Sequence, residues 1–111
     1  MKVIVTTEVY EFLENLIIIL YEQEYFGFEE SARKYVNDLY DDITGSLPLR
    51  PKKPAPPYFD KYGEGMYYAT FKKNKKTSWY AFFRMYQKDG ELYYQVRYIA
   101  NNHTISQYIE P

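Results

Sequence analysis

Three side chains in the second half of this sequence have the chemistry to hold or cut a phosphodiester. His103 is the single histidine, the one group whose ordinary pKa suits both taking and giving a proton near neutrality. Arg84 and Arg97 supply fixed positive charge in a form that suits phosphate. Metal-free RNA cleavage needs a base for the 2′-hydroxyl proton, an acid for the leaving oxygen and cations for the charge that builds on phosphorus. Tyr80, Tyr86 and Tyr93 offer rings on which a splayed base can stack. Lys72, Lys73, Lys75 and Lys76 place four positive charges in five residues. Each group also has a plainer reading. A histidine after Asn101-Asn102 is more often a hydrogen-bonded turn residue than a catalyst, and a lysine-rich turn is usually a solvated one. The two arginines can lie over tyrosine rings as cation–π pairs worth about 0.5–1 kcal/mol each.

The element that must position these groups runs over residues 78–99, SWYAFFRMYQKDGELYYQVRYI. Two aromatic runs broken by Asp89-Gly90 predict a β-hairpin. With a two- or four-residue loop, even positions of the first strand share a face with odd positions of the second. Trp79, Ala81, Phe83, Met85, Leu92, Tyr94, Val96 and Tyr98 then form an uncharged inward face. Tyr80, Phe82, Arg84, Tyr86, Tyr93, Gln95, Arg97 and Ile99 form the outward face, with two guanidinium groups among aromatic rings.

A length of 111 residues bounds the chain to one domain with a single core. The sequence has no cysteine, which excludes disulfides, a thiol nucleophile and a cysteine-based zinc site. It begins MKVIVTTEVYE, an apolar run too short for a signal peptide, and its longest aliphatic block, Leu16–Leu20, is far below the roughly 20 residues of a membrane span. A cytoplasmic protein with no membrane contact is the expectation. The net charge of −1 conceals a dipole: residues 1–46 carry ten acidic and three basic side chains, residues 47–111 five acidic and eleven basic. Asymmetry of this size points to a polyanion-facing second half.

In chain order, KVIVT predicts a short first strand, and Thr6 or Thr7 a cap for a helix reaching about Tyr25. Its apolar positions Val9, Phe12, Leu13, Leu16, Ile19 and Leu20 keep helical spacing, while Ile17 and Ile18 break the stripe and leave apolar surface for a second layer or another chain. After Gly27, Phe28, Ala32, Tyr35, Val36, Leu39, Tyr40 and Ile43 predict a second helix, with Gly45 as its left-handed cap. Asp38, Asp41 and Asp42 crowd that helix end against its dipole, which reads as a solvated helix end or, more sharply, as a site that a partner or a lysine from elsewhere in the fold neutralises. PLRPKKPAPP, residues 48–57, reads as an extended connector, followed by a loop over 58–65. Met66–Phe71 predicts a strand, Lys72–Lys76 a turn, Asn101–Thr104 a turn, and Ile105–Ile109 a short last strand. The expected organisation is therefore α+β: residues 1–46 a strand plus helical hairpin, 47–65 a proline-rich connector, and 66–111 a curved antiparallel sheet of three to four strands.

With that order, the stretches VIVTTEVYEFLENL, TSWYAFFRMY and ELYYQVRYIANNHTISQYI resemble the RelE/ParE superfamily of toxins from bacterial type II toxin–antitoxin systems. The resemblance spans nearly the whole chain except the proline-rich connector. It implies a helical hairpin on one face of the sheet and one of two activities: a metal-independent endoribonuclease acting on ribosome-bound mRNA, or an inhibitor of DNA gyrase, with a non-catalytic member that only binds its antitoxin as a third form. It implies no cofactor and no metal, and as partner a cognate antitoxin encoded by a neighbouring gene, with Leu16–Leu20 as a candidate contact. The positions that match the family pattern are Arg84, Arg97, and His103 with Tyr108. The sequence departs from the ribonuclease pattern in that His103 follows directly on a strand, outside a clear His-Tyr pair, and the outward face offers no glutamate as base.

Overall fold

The computed structural model describes residues 1–23 and 27–109, so the expected reach of the first helix to Tyr25 ends outside the described residues. The fold is α+β. Strand β1 (Lys2–Val5) leads into α1 (Thr7–Glu22), then α2 (Glu29–Ser46), a two-residue strand β2 (Lys53–Pro54), β3 (Tyr67–Lys72), β4 (Ser78–Lys88), β5 (Glu91–Asn101) and α3 (Asn102–Ile109). The strands make one mixed sheet in the order β1-β5-β4-β3-β2, in which β1 runs parallel to β5 and the other pairs are antiparallel. The expected three- to four-stranded antiparallel sheet is thus a five-stranded mixed one. Its extra members are β1, which returns to the sheet beside β5, and β2, which places Pro54 on an edge where a missing N–H costs no ladder bond.

The hairpin forms where the sequence requires. Asp89 (φ 53°) and Gly90 (φ 77°) both adopt left-handed backbone, which suits a two-residue turn joining strands of natural twist. Lys88 pairs with Glu91, and the odd-sum register holds as far as Phe83 opposite Val96. There β5 carries one extra residue: Phe82 faces Tyr98, and Arg97 is bulged out of the ladder. Beyond the bulge the parity reverses. Ile99, expected outward, is buried against α1 and α2, and Tyr98, expected inward, stands on the opposite face.

One face of the sheet is covered as expected. Val9, Leu13, Leu16 and Ile17 of α1 and Ala32, Val36, Leu39 and Ile43 of α2 close over Phe71, Trp79, Ala81, Phe83, Tyr94, Val96 and Ile99. The stripe of α1 is rotated from the expected one: Ile17 turns inward while Phe12 and Ile19 stay exposed. Thr6 caps α1, its hydroxyl accepting the Val9 N–H at 3.3 Å. Helix α2 does not stop at Gly45 but runs on to Ser46, because fully buried Leu47 draws the chain onward and the Thr44 and Ser46 hydroxyls bond the Tyr40 and Asp42 carbonyls. Near the hairpin tip Met85 is exposed, while half-buried Leu92 packs on the margin of this core.

The other face is not left open along its length. A 3-10 turn over Pro57–Tyr62, where a loop was expected, presses Phe59 onto Phe82 with ring centroids 4.3 Å apart. Residues 105–109, expected as a strand, form the end of α3, which drops Ile105 onto the same aromatic floor. The Asn101 side chain accepts the His103 N–H at 3.0 Å and starts the helix, and Ile105 and Ile109 then fall one turn apart. The domain therefore has two apolar layers, the second resting on Tyr68, Tyr80, Phe82 and Ala100.

Candidate nucleic-acid interface

The second layer divides the outward face in two. Under it, Tyr80 is buried and Phe82 fully so, which removes Tyr80 from the set of rings available to a base. Towards the hairpin tip the face is uncovered, and there Arg84 lies opposite Gln95 and Tyr86 opposite Tyr93. The Tyr86 and Tyr93 rings stack at 5.3 Å with 12° between their planes. Arg84 is exposed. This is a small platform of two parallel rings beside a free guanidinium, the combination that holds unpaired bases and their phosphates.

Arg97 stands at the bulge, where β1 has ended at Val5 and β5 continues without a partner on that side. Its Nε donates to the Tyr62 carbonyl at 2.8 Å and its Nη1 to Gln95 Oε1 at 3.2 Å, so it ties the uncovered half of the face to the covered half. Next to it the Tyr62 ring stacks on Tyr98 at 3.8 Å and 6°. Burial pushes the Tyr98 phenol well above the usual range, with the Tyr62 hydroxyl adding to the shift.

Tyr108 belongs to a group that the sequence did not single out. Its ring stacks on Tyr58 at 3.6 Å and 5°, and the Lys61 ammonium lies over the Tyr58 ring at 4.0 Å and 5.5 Å from the centre of Tyr62. Lys61 and the Tyr108 hydroxyl hold the Tyr58 phenol below the ordinary tyrosine range, and Tyr58 in turn raises the Lys61 ammonium. Lys61 and Tyr58 had no signal of their own in the sequence, since they fall where only a loop was expected.

His103 is elsewhere. Its Nε2 lies 3.1 Å from the Thr77 hydroxyl, at the far end of β4 from Arg84. The seven-residue step from Thr77 to Arg84 corresponds to roughly 23 Å of strand. His103 also lines a cavity of about 670 Å³ that opens on the α1 side, with Leu16, Ile19, Leu20, Trp79 and Asn101 among its walls. The four positions expected to act together, Arg84, Arg97, His103 and Tyr108, therefore do not converge. Arg97 and Tyr108 share one neighbourhood through Tyr62, Arg84 lies further along the same face, and His103 faces away.

The lysine turn is near His103, not Arg84. Asn74 organises it by accepting the Lys76 and Thr77 N–H groups at 2.9 Å each. Lys72, Lys75 and Lys76 are exposed, while Lys73 lies 4.9 Å over the Tyr35 ring. The acidic end of α2 finds its counter-charge inside the fold. Arg50 reaches Asp42 at 3.0 and 3.2 Å, and Lys34 reaches Asp38 at 2.7 Å. Of the apolar block Leu16–Leu20, Leu16 and Ile17 are in the core, so only Ile18, Ile19 and half-buried Leu20 remain for a partner.

Among the described residues no three His, Asp or Glu side chains gather as a metal site, and no helix is long and apolar enough to cross a membrane. Comparison with family models, with curated proteins and with solved structures returns no match for this chain.

Proposed function

We propose that this chain is the toxin of a bacterial type II toxin–antitoxin pair, of RelE/ParE kind, and that it acts on ribosome-bound mRNA through the sheet face opposite α1 and α2. The observation that carries this reading is the uncovered half of that face, where the stacked Tyr86–Tyr93 pair and Arg84 lie beside half-buried Arg97. Parallel rings next to fixed cations recognise single strands without a metal or a cofactor. The helical hairpin on the other face and the basic second half agree with the same reading. If the RNA is cut, the proton transfers fall to groups near Arg97, where Tyr58, Lys61 and Tyr108 meet; His103 takes no part.

The test is induced expression in a bacterial host followed by mapping of mRNA 5′ ends. New ends within translated codons, lost on Arg84→Ala and retained on His103→Ala, are the expected result. Growth arrest with intact mRNA and trapped or inhibited DNA gyrase would replace this reading with the gyrase one. Full growth without the neighbouring gene product would overturn both.

A further inference from the structure

Where β1 stops short of β5, a cavity of about 400 Å³ opens at the sheet edge, lined by Thr6, Glu8, Phe12, Tyr62, Arg97 and Tyr98 among others. Its walls are mostly aromatic and aliphatic, and they include two residues of opposite charge, Glu8 and Arg97. Glu8 and Arg97 border the same space and yet form no ion pair with each other. The Arg97 side chain is fixed by its bonds to Tyr62 and Gln95, which use two of the five guanidinium protons. Three remain, including both on Nη2, without a hydrogen-bond partner among the described residues. A preformed apolar slot with a few convergent polar groups is the usual form of a small-ligand site.

The ligand that fits must be flat, must offer paired donors to a carboxylate and paired acceptors to a guanidinium. Among the nucleobases only guanine does both. Its N1–H and N2–H₂ form a two-pronged donor edge, and its O6 and N7 form the acceptor edge that guanidinium groups take bidentately. Adenine has no paired donor edge for Glu8, and the pyrimidines have no O6/N7 pair for Arg97. The geometry points to this cavity as a guanine pocket, into which one base of a single-stranded RNA turns out from the Tyr86–Tyr93 platform, between the Phe12 and Tyr62–Tyr98 walls. This inference rests on the RNA reading above and gives it a sequence preference.

The experiment titrates the intact protein with GMP and AMP by calorimetry, and with two seven-nucleotide RNAs, one G or one A at the centre of a uridine run, by fluorescence anisotropy. The expected result is at least about tenfold tighter binding of the G ligands, about 1.4 kcal/mol. Glu8→Ala, an exposed first-turn substitution, should remove the preference for G over A in both ligand pairs. If RNA binds with no preference for G, or the preference survives Glu8→Ala, the pocket assignment is wrong and the RNA reading stands. A GMP preference without RNA binding keeps the pocket and removes the RNA reading. Binding of neither removes both.

Discussion

Arg97 keeps its position because a glycine yields it space. At Gly63 the backbone has φ +152°, and a Cβ there would lie 2.9 Å from Arg97 Nε and 3.2 Å from its Cδ. Gly63→Ala must therefore strain the backbone and push the guanidinium off the Tyr62 carbonyl. We expect a loss of about 1–3 kcal/mol in a urea unfolding curve and, on the RNA reading proposed above, weaker RNA binding in the same protein. A second expectation concerns alkaline pH. Tyr98 keeps its proton in the fold beyond the pH at which the unfolded chain gives it up, because burial disfavours the phenolate. Its contribution is complete below a pH of about 10 and is lost as the pH rises beyond that. Stability should fall above that pH, and Tyr98→Phe, which keeps the stack on Tyr62, should flatten the fall in thermal melts run from pH 8 to 11. Tyr58 works in the other direction: Lys61 and Tyr108 hold its phenol low, and Lys61→Met should move its ultraviolet titration upwards. The types of Arg84, Arg97 and the paired tyrosines were legible in the sequence. That Tyr58 and Lys61 join Tyr108 was not, because a 3-10 turn inside a proline-rich stretch has no periodicity to announce it.

At the scale of elements, the sequence disclosed what is periodic and concealed what is irregular. The hairpin and α2 followed from alternation and from the spacing of Ala32, Val36, Leu39 and Ile43. The bulge at Arg97 left no trace, since an aromatic strand reads the same with or without one extra residue. One such residue was enough to exchange Tyr98 and Ile99 between faces. The C-terminal segment failed for a different reason: Ile105 and Ile109 fit both a two-residue and a helical period, and Asn101 decides between them by capping. Its burial makes Ile105→Ala costly, by about 2–4 kcal/mol, and the resulting exposure of Phe59 and Phe82 should appear as binding of a hydrophobic dye. Arg50 performs a comparable service at the end of α2. It bonds Asp42, Ser46 and the Thr70 carbonyl and lies 4.3 Å over the Phe71 ring. Arg50→Ala should lower stability by about 1–2 kcal/mol in the same unfolding assay, since the ion pair is part-exposed and the remaining bonds reach across elements.

Seen as a whole, the molecule separates its charges by layer, with an acidic helical side and a basic sheet side. The helical side also exposes Tyr10, Ile18, Ile19 and Tyr21 on α1 and Phe28 just before α2. If a neighbouring gene supplies an antitoxin, these residues are its footing, and Ile18→Lys should weaken the complex at least tenfold in a pull-down titration without altering the melting curve of the free protein.

One connection in the sheet bears on how the protein comes into being. Lys2 pairs with Tyr93 and Val5 with Val96, so the first strand to be made closes only against the last. A nascent chain that stalls before β5 has its two helices and the β3–β4 part of their floor, but lacks Tyr94, Val96 and Ile99 to complete it, and Arg97 has not yet been added. Tyr93, Arg97 and the strand that closes the sheet thus arrive together, and a fragment without β5 keeps Arg84 and Tyr86 but not their cross-strand partners.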